Sequence, residues 1–92
     1  MKQTTKARYL GYGSYARSEM TPFETEAYNF EIGGCRYHYF HLNKYGNLKD
    51  IEGLSIGKDM GKWFDIEAII TESMTLKRVK ILTSPIDNDR FI

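Results

Sequence analysis

A glycine pair at positions 33–34, flanked on both sides by strand-like residues, restricts the fold more than any other feature of the sequence. Glycine adopts the positive φ angles that a two-residue hairpin turn requires. Such a turn sets Tyr28 opposite Tyr39, on a face that is apolar or aromatic. It also sets Glu31 opposite Arg36, on a face that pairs unlike charges. Because one register satisfies both faces, the sequence predicts an antiparallel hairpin. Its expected pairs are Ile32–Cys35, Glu31–Arg36, Phe30–Tyr37, Asn29–His38, Tyr28–Tyr39 and Ala27–Phe40.

A second hairpin is predicted around Ser73-Met74, with residues 62–72 as one arm and residues 75–84 as the other. This register places Ile66, Phe64 and Ala68 opposite Ile81, Thr83 and Val79, and it places Glu67 opposite Lys80. The many β-branched residues in this part of the chain favour strands. The alternative is one helix near residues 59–74, because the apolar side chains also recur at helical spacing.

The rest of the chain completes a mainly β prediction. Residues 8–15 are expected to form an edge strand, interrupted by Gly11 and Gly13 and ended by Thr21-Pro22. Residues 43–47 read as a turn, residues 48–56 as a strand bulged at Gly53, and residues 57–61 as a loop. We expect one domain over residues 1–92, with a loose tail at 85–92. The fold class is a small antiparallel sheet of two or more hairpins that curls toward a barrel or a sandwich, or an α+β fold if residues 59–74 are helical.

Composition excludes several classes of protein. A chain of 92 residues is long enough for one hydrophobic core. Its single cysteine cannot form an intramolecular disulfide, so a stapled secreted scaffold is excluded. No segment approaches the ~18 consecutive apolar residues of a membrane helix, and the N-terminus lacks a signal-peptide pattern. These features predict a cytoplasmic protein that is not bound to a membrane.

Three motifs suggest chemistry, but none has the right context. Residues 10–16 have the glycine spacing of a phosphate-binding loop without the helix that such a loop opens. Cys35, His38 and His41 are zinc-ligand types, yet on a strand His38 faces away from the other two, and Cys35 reads better as a small buried hydrophobe. His41 falls opposite Glu26, which is more often a structural pair than half of an active site. We therefore predict no catalytic residues, no metal and no cofactor.

One face of each predicted hairpin is basic, and on the first it is also aromatic. If these faces adjoin, they resemble the platforms that bind single-stranded nucleic acid through base stacking and phosphate contacts. The ordinary alternative is that Glu31 neutralises Arg36 and Glu67 neutralises Lys80. A net charge of +1 favours that alternative. The candidate nucleic-acid-binding residues are Arg36, His38, Phe40, Arg78 and Lys80.

Tyrosine and arginine crowd a glycine-rich segment near the N-terminus. Both residue types are favoured at protein interfaces, because each supplies contact area and a polar group. The alternative is that Tyr9, Leu10 and Tyr15 cover one open end of a small barrel. The leading functional prediction is a non-catalytic protein-binding module, an accessory or inhibitory factor of phage or mobile-element type acting on a larger host machine. A homodimer through the edge strand is also permitted. The candidate protein-binding residues are Arg8, Tyr9, Tyr12, Tyr15 and Arg17.

Overall fold

The fold is mainly β, as the sequence predicts, and its one mixed sheet closes into a barrel, which is one of the two forms expected. The computed structural model describes the backbone of residues 1–18 and 21–83 and the side chains of residues 1–13 and 26–83. Residues 63–70 form a strand, so the helix considered for residues 59–74 is wrong. The predicted loose tail at 85–92 lies outside the described residues. The strands are β1 (Lys2–Ser18), β2 (Thr21–Ile32), β3 (Cys35–Tyr39), β4 (Trp63–Ile70) and β5 (Thr75–Ile81).

The barrel closes in the strand order β1-β2-β3-β5-β4, with β4 paired back to β1. Every pairing is antiparallel except that between β3 and β5, which is parallel and short. His38 pairs with Thr75 and Tyr39 with Leu76 at this seam. Closure leaves the barrel wall without a fully open sheet edge, but the short seam means that β3 and β5 separate soon after they meet.

The β2–β3 hairpin has the register that the glycine pair predicts. The five pairs from Ile32–Cys35 to Tyr28–Tyr39 are all confirmed. Both turn glycines have positive φ, at 59° and 84°. Alternation places Tyr28 and Phe30 in the core, fully buried. Cys35 is exposed beside the turn, so its predicted burial is wrong. Both turn glycines are exposed as well, and a Cβ added at either would lie in open space.

The β4–β5 hairpin follows the predicted register only at the end away from the turn. Ile66 pairs with Ile81 and Glu67 with Lys80, as expected. Closer to the turn the register shifts, so that Ile69 pairs with Lys77. Two residues of β5, Arg78 and its successor, therefore oppose one residue of β4, which is a β-bulge. Arg78 has a φ of 53°, in the left-handed region that non-glycine residues seldom adopt.

The N-terminal strand is central rather than an edge over part of its length. Arg8 pairs with Trp63 on one side and with Glu31 on the other, so the prediction of an edge strand is wrong there. From Gly11 onward the described pairs of β1 are with β2 alone. A register shift between Tyr9 and Gly11 bends the strand where its two pairings change over. Gly11 needs to be glycine because its φ is 102° and an added Cβ would lie 3.0 Å from Met60.

The long connection from β3 to β4 closes one end of the barrel without a strand of its own. The strand predicted for residues 48–56 is therefore wrong, apart from an isolated bridge between Leu42 and Leu48. Ile51 is buried in the core. The turn predicted at residues 43–47 is confirmed, because the Asn43 amide donates to the Asn47 carbonyl oxygen over 2.8 Å. Residues 57–61 lie between β3 and β4 in turns, as predicted.

Tyrosine hydroxyls attach this connection to the barrel. Tyr28 donates to the carbonyl oxygen of Lys49 over 2.5 Å, and Tyr9 donates to that of Ile56 over 3.1 Å. Each ring is fully buried while its hydroxyl satisfies a backbone acceptor at the end of the barrel. Tyr9 is thus a core residue whose hydroxyl bonds the connection, while the side chain of Tyr15, which was expected to cover the same end of the barrel, lies outside the described residues. In the part of the chain that the structure describes, no helix is long and apolar enough to cross a membrane.

Candidate functional site

The candidate site begins on the outer face of β3, where alternation puts three polar and aromatic side chains. The inner neighbours Tyr37 and Tyr39 face the core, so Arg36 and His38 point outward. Phe40 follows β3 directly, with its ring centroid 6.3 Å from that of His38. Arg36 is exposed, whereas His38 and Phe40 are half-buried. The result is a cation beside two flat rings, along one line of the barrel surface.

A hydrogen bond across the hairpin orients His38. Its Nδ1 lies 2.8 Å from Oδ1 of Asn29, its partner residue on β2. Asn29 is buried, and its Nδ2 also donates toward the carbonyl oxygen of Gly11 over 3.4 Å. Burial lowers the pKa of His38, and the nearby Arg36 lowers it further. The imidazole is therefore neutral at pH 7, where it offers a ring face rather than a charge.

The parallel seam brings the start of β5 beside Phe40. A cleft of about 480 Å³ opens where β3 and β5 separate. Its cationic walls come from Lys77 and Arg78, both exposed, and its aromatic wall comes from Tyr39 and Phe40. No carboxylate lies among the described residues that line it. We call Arg36, His38, Phe40, Lys77, Arg78 and Lys80 the β3–β5 face.

The carboxylates expected to neutralise this face are engaged elsewhere or lie outside ion-pair distance. Glu67 faces Lys80 in the register, but its Oε1 lies 3.5 Å from Nζ of Lys2. The other ion pairs that the described residues form join Lys6 to Asp65 and Lys62 to Asp59. None of these pairs involves Arg36, Arg78 or Lys80. Within the part of the chain that the structure describes, these three cations of the β3–β5 face are therefore not engaged in ion pairs.

A second cleft of about 760 Å³ continues along β5 beyond the first. His41 separates the two clefts, with its ring stacked on that of Tyr39 at 4.9 Å and its Nδ1 3.0 Å from the Tyr39 hydroxyl. Lys49 and Lys80 line this cleft together with Asp50 and Glu52. Its described charges balance, in contrast to those of the first cleft.

His41 contacts Tyr39 of β3 and the backbone of the β3–β4 connection. Burial lowers its pKa, and Lys49 lowers it further, while a hydrogen bond to the backbone of Asp50 opposes both effects. Tyr39, Lys49 and Asp50 are therefore the neighbours that set the environment of the His41 imidazole. The predicted pairing of His41 with Glu26 is not formed, because the chain leaves β3 at Tyr39 before it can lie opposite Glu26.

The candidate protein-binding residues do not form one surface in the part that the structure describes. Tyr9 is fully buried, so it cannot contact a partner of the folded chain. Tyr12 is 52% exposed. Arg8 points outward from the barrel, and its Nε donates to the carbonyl oxygen of Gly61 over 3.0 Å. The side chains of Tyr15 and Arg17 lie outside the described residues.

The remaining motifs lead to no site. Among the described residues, no group of three histidine, cysteine, aspartate or glutamate side chains is placed to hold a metal ion. The glycine-spaced segment at residues 10–16 lies within β1, where it opens no helix. Within this segment, Gly11 has the positive φ at the register shift that bends the strand.

Sequence reasoning missed two residues that the structure adds to this region. Lys77 lines the first cleft, whereas the regular register predicted from the sequence put Arg78 and Lys80 on the outer face. Trp63 lies half-buried on the outer side of β4, next to Arg8. An alternation count along β4 would have found its orientation, because Phe64, Ile66 and Ala68 are buried. No family model matches the sequence, and no curated protein or solved structure matches it either.

Proposed function

We propose that this protein binds single-stranded nucleic acid on the β3–β5 face. The observation that carries the proposal is the parallel seam, which joins the aromatic outer side of β3 to the cationic start of β5. Bases stack on aromatic rings whatever their sequence, and Lys and Arg side chains bind the phosphates. In this proposal Phe40 and His38 stack on bases, while Arg36, Lys77 and Arg78 contact the backbone.

The architecture supports the proposal by analogy. Five-stranded barrels of the OB-fold type bind oligonucleotides and oligosaccharides on the face formed by their second and third strands. Here β3 carries Arg36 and His38 on its outer side, and Phe40 follows it directly, while the outward residues paired with them on β2 are Asn29 and Glu31. A shared architecture does not establish a shared function, so the argument depends on the side chains at the seam.

The local charge supports it more directly. The whole chain has a net charge of only +1, which disfavours strong nonspecific binding to polyanions. The β3–β5 face, however, holds four cations. Lys80 lines the charge-balanced second cleft with Asp50 and Glu52, so Arg36, Lys77 and Arg78 are the cations counted toward phosphate binding. If about three phosphates are neutralised, the logarithm of affinity should fall with the logarithm of salt concentration at a slope of about −2.

The experiment is a fluorescence-anisotropy titration of labelled single-stranded DNA and RNA over a range of salt concentrations. Phe40→Ala should weaken binding by about 5- to 150-fold, because stacking contributes about 1–3 kcal/mol for each base. Lys77→Gln should weaken binding less and make the salt slope shallower by about 0.7.

The matched control is Lys2→Gln, which removes a lysine of the same barrel that is already paired with Glu67. It should leave affinity nearly unchanged. Absence of binding at low salt, or binding that ignores both salt and Phe40→Ala, would refute the proposal.

A second candidate is a protein-binding module, the function that the sequence favours. Tyr12, 52% exposed where β1 continues beyond its pairing with β4, is the observation in its favour. Affinity capture of the tagged protein from a lysate, with and without nuclease, separates the two functions. A stoichiometric protein that survives nuclease and is lost with Tyr12→Ala supports this candidate. Recovery of nuclease-sensitive material alone supports the β3–β5 face.

A further inference from the structure

The barrel aligns four outward side chains that are far apart in the sequence. Arg8 pairs with Trp63 of β4 on one side and with Glu31 of β2 on the other. Glu31 pairs in turn with Arg36 of β3. Each residue alternates with core neighbours, so all four lie on the outer surface. We call Trp63, Arg8, Glu31 and Arg36 the transverse row.

The transverse row meets the β3–β5 face at Arg36. Four strands spaced by about 4.8 Å give the row a span of about 14 Å. Along β3 and the residue after it, the four steps from Arg36 to Phe40 cover about 13 Å. The surface therefore offers a path that runs along β3 and then turns across β2 and β1, with an aromatic ring at each end.

We propose that the bound strand follows this whole path, with Trp63 as a second stacking platform and Arg8 as a phosphate contact. This inference rests on the proposed function and extends its site around the outer surface of the barrel, from β3 across β2 and β1 to β4. A single strand suits the path because it can turn at Arg36, whereas a duplex is stiff over this distance.

The geometry of Arg8 supports its role. Its Nε donates to the carbonyl oxygen of Gly61, which restrains the guanidinium, and its backbone pairs with that of Trp63. Arginine can bind a phosphate and lie against an aromatic ring at the same time, because its guanidinium is planar. The bond to Gly61 uses one of its five donors, which leaves others for a phosphate.

Glu31 opposes the ligand from the middle of the row. It lies between two arginines in the register, Arg8 and Arg36, and among the described residues no ion pair joins it to either. Its negative charge repels phosphate. Glu31→Gln should therefore tighten binding by a few-fold.

The test uses Trp63, the only tryptophan in the chain, as its own reporter. Unlabelled DNA and RNA oligomers of about 16 nucleotides, the upper end of the range for one such barrel, are titrated into the wild-type protein. Quenching of the Trp63 fluorescence, saturating with the affinity that anisotropy gives, is the expected result for whichever nucleic acid binds. Trp63→Ala should weaken binding by about 5- to 150-fold, and Trp63→Phe should restore most of it.

The outcomes separate this inference from the function on which it rests. If neither oligomer binds, both are overturned. If Phe40→Ala weakens binding while the Trp63 fluorescence stays constant at saturation, the β3–β5 face stands and the transverse row is refuted. The wild-type fluorescence decides this even if Trp63→Ala does not fold, because it requires no substitution.

Discussion

The two faces of the β2–β3 hairpin use similar aromatic residues for different ends. On the inner face, Tyr28 and Phe30 are fully buried, and the tyrosine hydroxyl reaches the backbone of the β3–β4 connection. On the outer face, His38 and Phe40 lie half-buried beside cations. A shift of one position along the strand decides between these environments. Stability should therefore depend on the inner rings, and binding on the outer ones.

The largest expected effect comes from removing an inner ring. Phe30→Ala should lower the free energy of unfolding by about 3–5 kcal/mol, because it leaves a cavity in a barrel of this small size. Phe40→Ala should lower it by about 1 kcal/mol or less, since its ring is partly in solvent. Chemical denaturation followed by circular dichroism measures both. If the two substitutions cost the same, Phe40 belongs to the core and the contrast between the faces fails.

The buried hydroxyls of Tyr9 and Tyr28 make the stability of the folded state depend on pH. Burial, with smaller contributions from neighbouring charges, raises the pKa of both Tyr9 and Tyr28 to about 12. The folded state holds these protons more tightly than the unfolded state, whose tyrosines titrate near 10. Their contribution to stability is therefore complete below pH 10 and is lost as the pH rises toward 12.

The double substitution Tyr9→Phe with Tyr28→Phe tests this. It should cost about 1–3 kcal/mol at pH 7, because two hydrogen bonds to backbone carbonyls are lost. It should also flatten the fall in stability above pH 10, which denaturation curves at several pH values would show. An equally steep alkaline fall in the double variant would mean that other groups are responsible.

The smallest expected effect on the free energy of unfolding comes from Arg78→Gly at the β5 bulge, which should nevertheless lower the affinity for oligomers. Arg78 has a left-handed backbone at φ 53°, which costs a non-glycine residue roughly 1 kcal/mol or more. Arg78→Gly removes this strain but adds freedom to the unfolded chain, so the free energy of unfolding should stay the same or rise by up to about 1 kcal/mol. Affinity for single-stranded oligomers should fall severalfold. Arg78→Lys, which keeps charge and strain, is the control and should retain most of the affinity.

Local pairing was predictable, and its limits have identifiable causes. The register of the β2–β3 hairpin follows from its glycine turn and its alternation. The register of β4–β5 was right at Glu67 and Lys80 but wrong near the turn, because alternation alone does not reveal a bulge at Arg78. The connection at residues 48–56 has strand-like composition, yet it covers the end of the barrel and forms no ladder.

The candidate site was predictable in its parts but not as a whole. Arg36, His38 and Phe40 share a face by alternation, which the sequence states directly. Arg8 was grouped with the N-terminal tyrosines, although the structure aligns it with Arg36 through Glu31. Tyr9, grouped with it, turns into the core. Arg8 and Tyr9, adjacent in the sequence, thus point to opposite faces of the barrel wall, whereas Arg8 and Arg36, far apart in the sequence, lie in one row.

By itself the sequence determined the first hairpin, the far end of the second and which residues of those strands share a face, because turn chemistry and the two-residue period of a strand act between near neighbours. Only the tertiary structure decided that β1 pairs with β4 and that β3 runs parallel to β5. These pairings join segments far apart in the chain, and their stability comes from a core that exists only once the barrel has closed. The β3–β5 face and the transverse row are consequences of that closure.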